Sequence, residues 1–476
     1  MRIRDHSLNR RPFGPGVSPA HASRAAAAIK PCPARGRKAG TVSQAVRRGL
    51  AGASCAIQRQ IRPPALFSFA FPAPIAEKPL RDAPATAERT AMRTITTTED
   101  LAAFCAAAKA GPYVTIDTEF LRERTYWSKL CLIQMALPGK DGEAVLVDPI
   151  EGSDMSMEPL YDLFRHEPTV KVFHAARQDL EIFFVEGHVF PTPLFDTQIA
   201  AMVCGFGEQV GYETLVRRIA KAGLDKTSRF TDWSRRPLST AQKDYALADV
   251  THLRVIYEWL AAQLKKNGRG PWVEEELAVL TDPATYTTLP DEAWLRIKTR
   301  TTSGRFLAIV RELARFREVY AQTQNVPRSR VMKDDALLEL ASTRPQNMEE
   351  LGRSRLLLRE GRKPEIAEGI LAAIRAGLEA RPEDLPKVTQ PQDQPQGNGA
   401  LSDLLRVLLK AKSENLGVAP RLIASSADLD AIASGARDVE ALTGWRRDAF
   451  GDDALRLCKG EVALSAKGSE VRIVRL

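Results

Sequence analysis

Apolar positions follow two rhythms along this chain, and the change of rhythm divides it. Between residues 92 and 285, β-branched and aromatic runs at 113–117, 130–137, 144–147 and 170–173 read as strands. The stretches between and after them carry helical spacing. Leu180, Ile182, Phe183 and Phe184 belong to a helix beginning near Ala175, and Leu253, Ile256 and Leu260 to one that Ser239 or Thr240 can cap. Strands alternating with helices predict an α/β layer fold over 92–285. From 294 to 380 the pattern is helical only. Phe306 to Val310, Leu313, Phe316 and Val319 form one stripe, Asn325-Val326-Pro327 a turn, and a further helix runs from about Asp334 to Ala341. Residues 381–399 are Pro/Gln-rich and poor in apolar groups, the composition of a linker. Helical spacing returns over 400–476 and weakly repeats the preceding region. Val418-Ala419-Pro420-Arg421 followed by Asp428 parallels Val326-Pro327-Arg328 followed by Asp334 or Asp335, and Glu461 to Leu476 alternates like a short strand pair. Residues 1–91, rich in Ala, Arg and Pro with no Trp or Tyr, keep no period, and disorder is the expectation there.

Charge changes the reading of these regions. The 476-residue chain has a formal net charge of +9, which invites a nucleic-acid partner. Residues 1–91 alone hold 16 Lys/Arg against 4 Asp/Glu, so the basic character belongs to that segment. Residues 294–380 carry 17 Lys/Arg against 11 Asp/Glu, 381–476 balance at 14 and 14, and 92–293 are left at −9. An acidic α/β region cannot attract phosphates by net charge. It needs bound cations, local basic groups or a basic neighbour. The six cysteines form no C-x-x-C pair, a thiol pattern that suits a reducing cytoplasm. Pro63 to Ala76 is apolar but broken by four prolines and too short to span a bilayer, so no membrane partner is expected. The chain has no G-x-x-x-x-G-K-[ST] loop, and no nucleotide cofactor is expected.

The candidate chemistry lies in three stretches of the α/β region. Asp117 and Glu119 stand two apart at the end of the strand that starts at Tyr113, so they share a face. Adjacent carboxylates repel unless a cation lies between them, and a hard ion with oxygen ligands suits the pair. Asp179 sits in the first turns of the helix after Val170-Lys171-Val172-Phe173, where the helix dipole alone would favour it. Tyr245 and Asp249, four apart, share a helix face that continues to Leu253 and Ile256. Each piece has a bland reading as well: a polar strand end, a dipole-stabilised acid, a solvated helix margin. The six histidines form no His-x-x-x-His pair, which argues against zinc.

Taken together, the order of these stretches, their flanking elements and the Tyr-x-x-x-Asp ending resemble the DEDD superfamily of 3′→5′ exonucleases in its tyrosine-bearing subclass. Within that subclass the chain resembles the ribonuclease D family. Leu130-Cys131-Leu132-Ile133-Gln134, Phe195-Asp196-Thr197-Gln198 and Asp232-Trp233-Ser234-Arg235-Arg236-Pro237-Leu238 extend the likeness, which runs from about Met92 to the C-terminus. Residues 294–380 resemble the HRDC domain, and 400–476 look like a diverged second copy.

The resemblance implies an α/β ribonuclease-H-like exonuclease domain over 92–285, followed by two small, mainly helical HRDC-type domains over 294–380 and 400–476. It implies two divalent cations, Mg²⁺ or Mn²⁺, on Asp117, Glu119, Asp179 and Asp249, with Tyr245 orienting the attacking water. The implied activity is a 3′→5′ exoribonuclease that releases 5′-mononucleotides. RNA 3′ ends, above all those of precursor tRNA, are the expected partners. A DNA exonuclease of the same superfamily and a non-catalytic RNA-binding scaffold are the alternatives.

Gln134, His174, Lys226, Trp233 and Arg236 are the expected nucleic-acid contacts, with Arg229 and Arg235 beside them. For the basic segment among these, the competing reading is a solvated loop with a half-buried Trp. Because the likeness begins at Met92 with Arg93-Thr94-Ile95, Met92 is expected to be the true start. That reading is preferred to a transit peptide or a basic nucleic-acid tail over 1–91.

Overall fold

A computed structural model describes residues 92–225, 227–299, 301, 303–387 and 398–476. The expectations for 1–91, for Lys226 and for 388–397 of the linker lie outside the described residues. The α/β region holds strands β1 (Arg93–Ile95), β2 (Tyr113–Leu121), β3 (Lys129–Ala136), β4 (Ala144–Val147), β5 (Val170–Phe173) and β6 (Leu194–Asp196). They form one mixed sheet in the order β1-β4-β3-β2-β5-β6. The β2–β3 and β3–β4 pairs are antiparallel, and β2–β5, β5–β6 and β1–β4 are parallel. Four of the strands coincide with the apolar runs. β1 and β6, three residues each, are too short to show a period.

Helices α1 (Thr98–Lys109), α2 (Glu158–Arg165), α3 (Arg177–Gly187), α4 (Thr197–Val203), α5 (Thr240–Asn267) and α6 (Gly270–Leu280) are the longer helices of this region. α5 does the most to position the site. Ser239 caps it in a reciprocal capping box with Gln242, and Gly268 ends it at φ +69°. Its buried face runs through Ala246, Val250, Leu253, Ile256, Leu260 and Leu264. Thr115 on β2 donates its hydroxyl to the Val250 carbonyl at 2.9 Å, fastening the helix to the sheet one residue past Asp249. A separate apolar cluster joins Cys131, Leu132 and Leu146 of the sheet to Trp233, Leu238 and Ala246.

Helices α7 (Gly304–Thr323), α8 (Asp334–Thr343) and α9 (Pro364–Glu379) share a second core around Ile309, Leu313, Leu337, Leu340, Ile370 and Ile374. Gly377 lets α9 cross α7 closely: a Cβ there would lie 2.5 Å from the Cα of Ile309. Pro382–Asp384, expected to begin the linker, forms a turn held to α7 by Arg311, which donates to the Asp384 carbonyl at 3.0 Å.

Helices α10 (Gly399–Leu416), α11 (Ser426–Ala433) and α12 (Asp452–Cys458), with the hairpin β7 (Val462–Lys467) and β8 (Glu470–Arg475), surround a third core. This unit packs against the α/β region. Trp445 stacks on Trp272 with ring centroids 4.5 Å apart, and the buried Arg446 pairs with Glu276 at 2.5 Å. No helix among the described residues is long and apolar enough to cross a membrane.

Candidate active site

β2 carries Asp117 and Glu119, and α5 brings Asp249 to them. One carboxylate oxygen from each of the three lies within 4.8 Å of the others. Tyr245, one turn before Asp249, donates its hydroxyl to the Asp249 carboxylate. Asp179 reaches the group separately, from the first turn of α3. Thr118, between the two acids of β2, donates its hydroxyl to Asp179 Oδ1. The four carboxylates, Tyr245, His174, Tyr212 and Arg229 line a cavity of about 460 Å³.

Burial and mutual repulsion set the electrostatics. Burial, then the neighbouring Asp249, holds the Asp117 carboxyl well above the usual carboxylate range, and burial with the Asp117 charge does the same to Asp179. Glu119 is pushed up to about 9 by burial and by the charges of Asp117, Asp249 and Asp179. Asp249 is pushed up to about 7 by burial, against the opposing effects of the Tyr245 hydrogen bond and Arg229. Burial and the same acids raise Tyr245 further above its ordinary value, so its phenol stays protonated. These acids are crowded and desolvated, with one exposed arginine, Arg229, as their cationic neighbour in the cavity among the described residues.

The turn that leads into α3 is built by a residue the sequence reading did not place in the site. Ala175 adopts φ +57°, a left-handed conformation unusual for a residue with a Cβ. Asp196 stabilises it by accepting from the Ala175 and Ala176 amides at 3.0 and 2.8 Å, while also capping α4 through the Gln198 amide at 2.7 Å. Thr197 donates its proton to the Phe173 carbonyl at 3.1 Å, so the 3.0 Å contact with His174 Nδ1 takes its proton from the histidine. Nε2 of the neutral ring is then an acceptor. Burial holds the His174 pKa below its usual value, which keeps the ring neutral. Tyr212 donates to the Asp249 carbonyl at 2.5 Å and sets its ring 5.3 Å from that of His174. Thr118 lies inside a motif and Tyr212 outside all of them, and neither carried a sequence signal of its own.

Three expected nucleic-acid contacts are placed differently. Gln134 is fully buried opposite Asp117 in the β2–β3 register and does not line the cavity. Trp233 is 2% exposed and fills the apolar cluster under α5. Arg236 has its guanidinium consumed: it makes a two-pronged pair with Asp148, both contacts 2.6 Å, and donates to the carbonyls of Cys131, Trp233 and Arg235. The apolar bulk of the indole and the buried partner of the arginine turned a basic-aromatic segment into a structural clamp. His174 does line the cavity, and Lys226 lies outside the described residues.

The donor set fits a hard divalent cation. Its ligands are carboxylate oxygens only, clustered, and deprived of the arginine pairing that would otherwise neutralise them. Bound cations would reverse the upward shifts and keep the acids ionised.

Comparisons with known proteins follow the same division. Residues 92–265 match a family of 3′-5′ exonucleases, and residues 306–374 match the HRDC domain. A ribonuclease D of Jannaschia sp. is 64% identical over 384 residues, covering 80% of this chain and 99% of that protein. A ribonuclease D of Bartonella henselae is 42% identical over 81% of this chain and 94% of its own. The crystal structure of Escherichia coli ribonuclease D, described as an exoribonuclease involved in structured RNA processing, superposes with a TM-score of 0.68. It is 28% identical and covers 78% of this chain and 99% of that one. The sheet and helices over 92–280 are thus an exonuclease fold of the ribonuclease-H-like kind, followed by a helical HRDC region.

Proposed function

The chain belongs to the ribonuclease D family of 3′-5′ exonucleases, and on that premise we propose how its site works and on what. It is a 3′→5′ exoribonuclease that removes 5′-mononucleotides from RNA 3′ ends, with precursor tRNA and other structured RNAs as its main substrates. The observation that carries this reading is the half-buried trio Asp117, Glu119 and Asp249, whose oxygens converge within 4.8 Å.

Asp117, Glu119 and Asp249 would hold one divalent ion, and Asp117 with Asp179 a second, each Mg²⁺ or Mn²⁺. Bound there, the pair would offset the charge that builds on the attacking and leaving oxygens of a phosphodiester. The residues of the chain do the positioning. Burial and the neighbouring acids hold the Tyr245 pKa above the ordinary phenol value, so its hydroxyl stays protonated. A protonated phenol can orient the attacking water and is not a base that removes its proton. Thr118 fixes Asp179, Asp196 fixes the turn before it, and Nε2 of His174 offers an acceptor to the terminal nucleotide. Arg229 faces the incoming phosphate from the cavity rim.

The unit from Gly399 to Arg475 is read as a diverged HRDC copy with a packing role, supported by its Trp445 and Arg446 contacts to α6. Free thiols at Cys105, Cys131, Cys204 and Cys458 support a cytoplasmic location. Purified protein incubated with matched 3′-labelled RNA and DNA, in Mg²⁺, Mn²⁺ or EDTA, tests the whole proposal. Metal-dependent release of mononucleotides from RNA is expected. Preference for DNA would move the chain to the other reading, and inactivity on both would leave an RNA-binding scaffold.

A further inference from the structure

A second cavity, of about 260 Å³, adjoins the first and has the opposite character. Gln178 lines both, and the next residue is the carboxylate Asp179. Arg122 and Trp127 from the β2–β3 connection, and Arg177 from α3, form one wall. Arg296 and Arg328, from the segment leading into α7 and the one after it, form the other.

The seam between these walls is fastened by specific polar contacts. Asn325 Oδ1 accepts from the Tyr126 and Trp127 amides at 3.0 and 2.9 Å, and Gln322 donates to the Thr288 carbonyl at 2.9 Å. Arg328 lies over the Tyr126 ring at 4.6 Å and pairs with the buried Glu318, so it belongs to the floor. Arg122 is bridged to Glu181 at 3.0 Å.

Arg177 and Arg296 are different. Both are exposed, and neither forms an ion pair with a carboxylate among the described residues. Arg296 makes one hydrogen bond, to the Thr288 hydroxyl at 3.2 Å. Two guanidinium groups without carboxylate partners, beside a half-buried tryptophan, are suited to a phosphodiester with its flanking base. The acidic cavity next door would repel that same phosphate without its cations.

We propose that the seam cavity is a subsite for an internal nucleotide of the substrate, on the 5′ side of the scissile linkage, with Arg177 and Arg296 as its phosphate ligands. This rests on the exonuclease reading, which puts the 3′ end at the carboxylates. The strand then runs past Gln178 into the seam, and the helical domain completes the subsite through Arg296 and the Arg328 floor.

The Arg177→Gln/Arg296→Gln double variant tests it. Exonuclease kcat/KM is measured on a dinucleotide and on an oligouridylate of about twelve nucleotides. The ratio of long to short should fall about tenfold in the variant, mostly through KM. The Arg177→Lys/Arg296→Lys variant should keep most of it. Equal reductions on both lengths, or none, would overturn the subsite.

Binding of the same labelled oligouridylate in EDTA provides a readout without turnover. The variant should bind about tenfold more weakly, with a salt slope smaller by about 0.7 for each phosphate that is no longer neutralised. Displacement by inorganic phosphate as effectively as by unlabelled oligouridylate would overturn the nucleotide assignment in favour of a simple anion site. If wild type cleaves neither substrate with any metal yet the variant still binds less tightly in EDTA, the exonuclease reading has failed and the seam is an RNA-binding surface of another kind.

Discussion

Two groups of carboxylate lie within reach of the same sheet, one buried and one half-buried, and the fold treats them in opposite ways. Asp148 is sealed: Arg236 grips both of its oxygens at 2.6 Å, and the Ile150 and Glu151 amides donate to it at 3.0 Å. Asp117, Glu119 and Asp249 are crowded against one another instead, and their pKa values are pushed up by burial and repulsion. A buried charge with its partners supplied in the chain stabilises the structure it joins. Buried charges left to repel are costly until something else enters, and that cost marks a binding site.

Several substitutions sharpen or break this contrast. Asp117→Asn and Asp249→Asn should each lower kcat on the order of a thousand-fold in Mg²⁺, while circular dichroism and melting temperature stay at or above wild type. Activity close to wild type in either purified variant would remove the carboxylates from the reaction. On the sealed side, Arg236→Ala should cost about 3–5 kcal/mol in urea unfolding, because it leaves Asp148 buried and unpaired. A destabilisation below about 1 kcal/mol would show that the clamp matters little. Tyr245→Phe should reduce kcat by about 10–100-fold with little change in metal affinity; abolished metal binding would make the tyrosine structural.

The smallest expected effect is a pH trend in metal-free protein. Glu119 and Asp249 have folded pKa values near 9 and 7, above the unfolded carboxylate range, so their protonated forms favour the folded state. That contribution is present in full below about pH 4 and is lost as pH rises through about 7 and then about 9. The melting temperature of metal-free protein should therefore fall over that window, and Mg²⁺ should recover most of the fall. An equal decline with and without Mg²⁺ in differential scanning calorimetry would contradict the assignment.

How much of this was legible in the sequence depended on distance along the chain. The β-branched and aromatic runs marked the long strands, and the spacing of Tyr245, Asp249, Leu253 and Ile256 marked a helix with its acid above the core. Asp117 and Glu119 two apart on a strand had to share a face. The relations that decide partnership were not local. The link from Thr118 to Asp179 spans 61 positions, and that from Arg236 to Asp148 spans 88. For that reason Trp233 and Arg236 read as a basic, stacking surface although the fold buries one and pairs the other. The seam is less legible still, since Tyr126 and Arg328 are 202 positions apart.

The direct test of the central claim is a calorimetric titration of Mn²⁺ into metal-free wild type and into Asp117→Asn at neutral pH. The account predicts two bound ions in wild type, with proton release as the raised carboxyls ionise, and abolition of that binding in the variant. Equal binding in both proteins, or none in wild type, would contradict it.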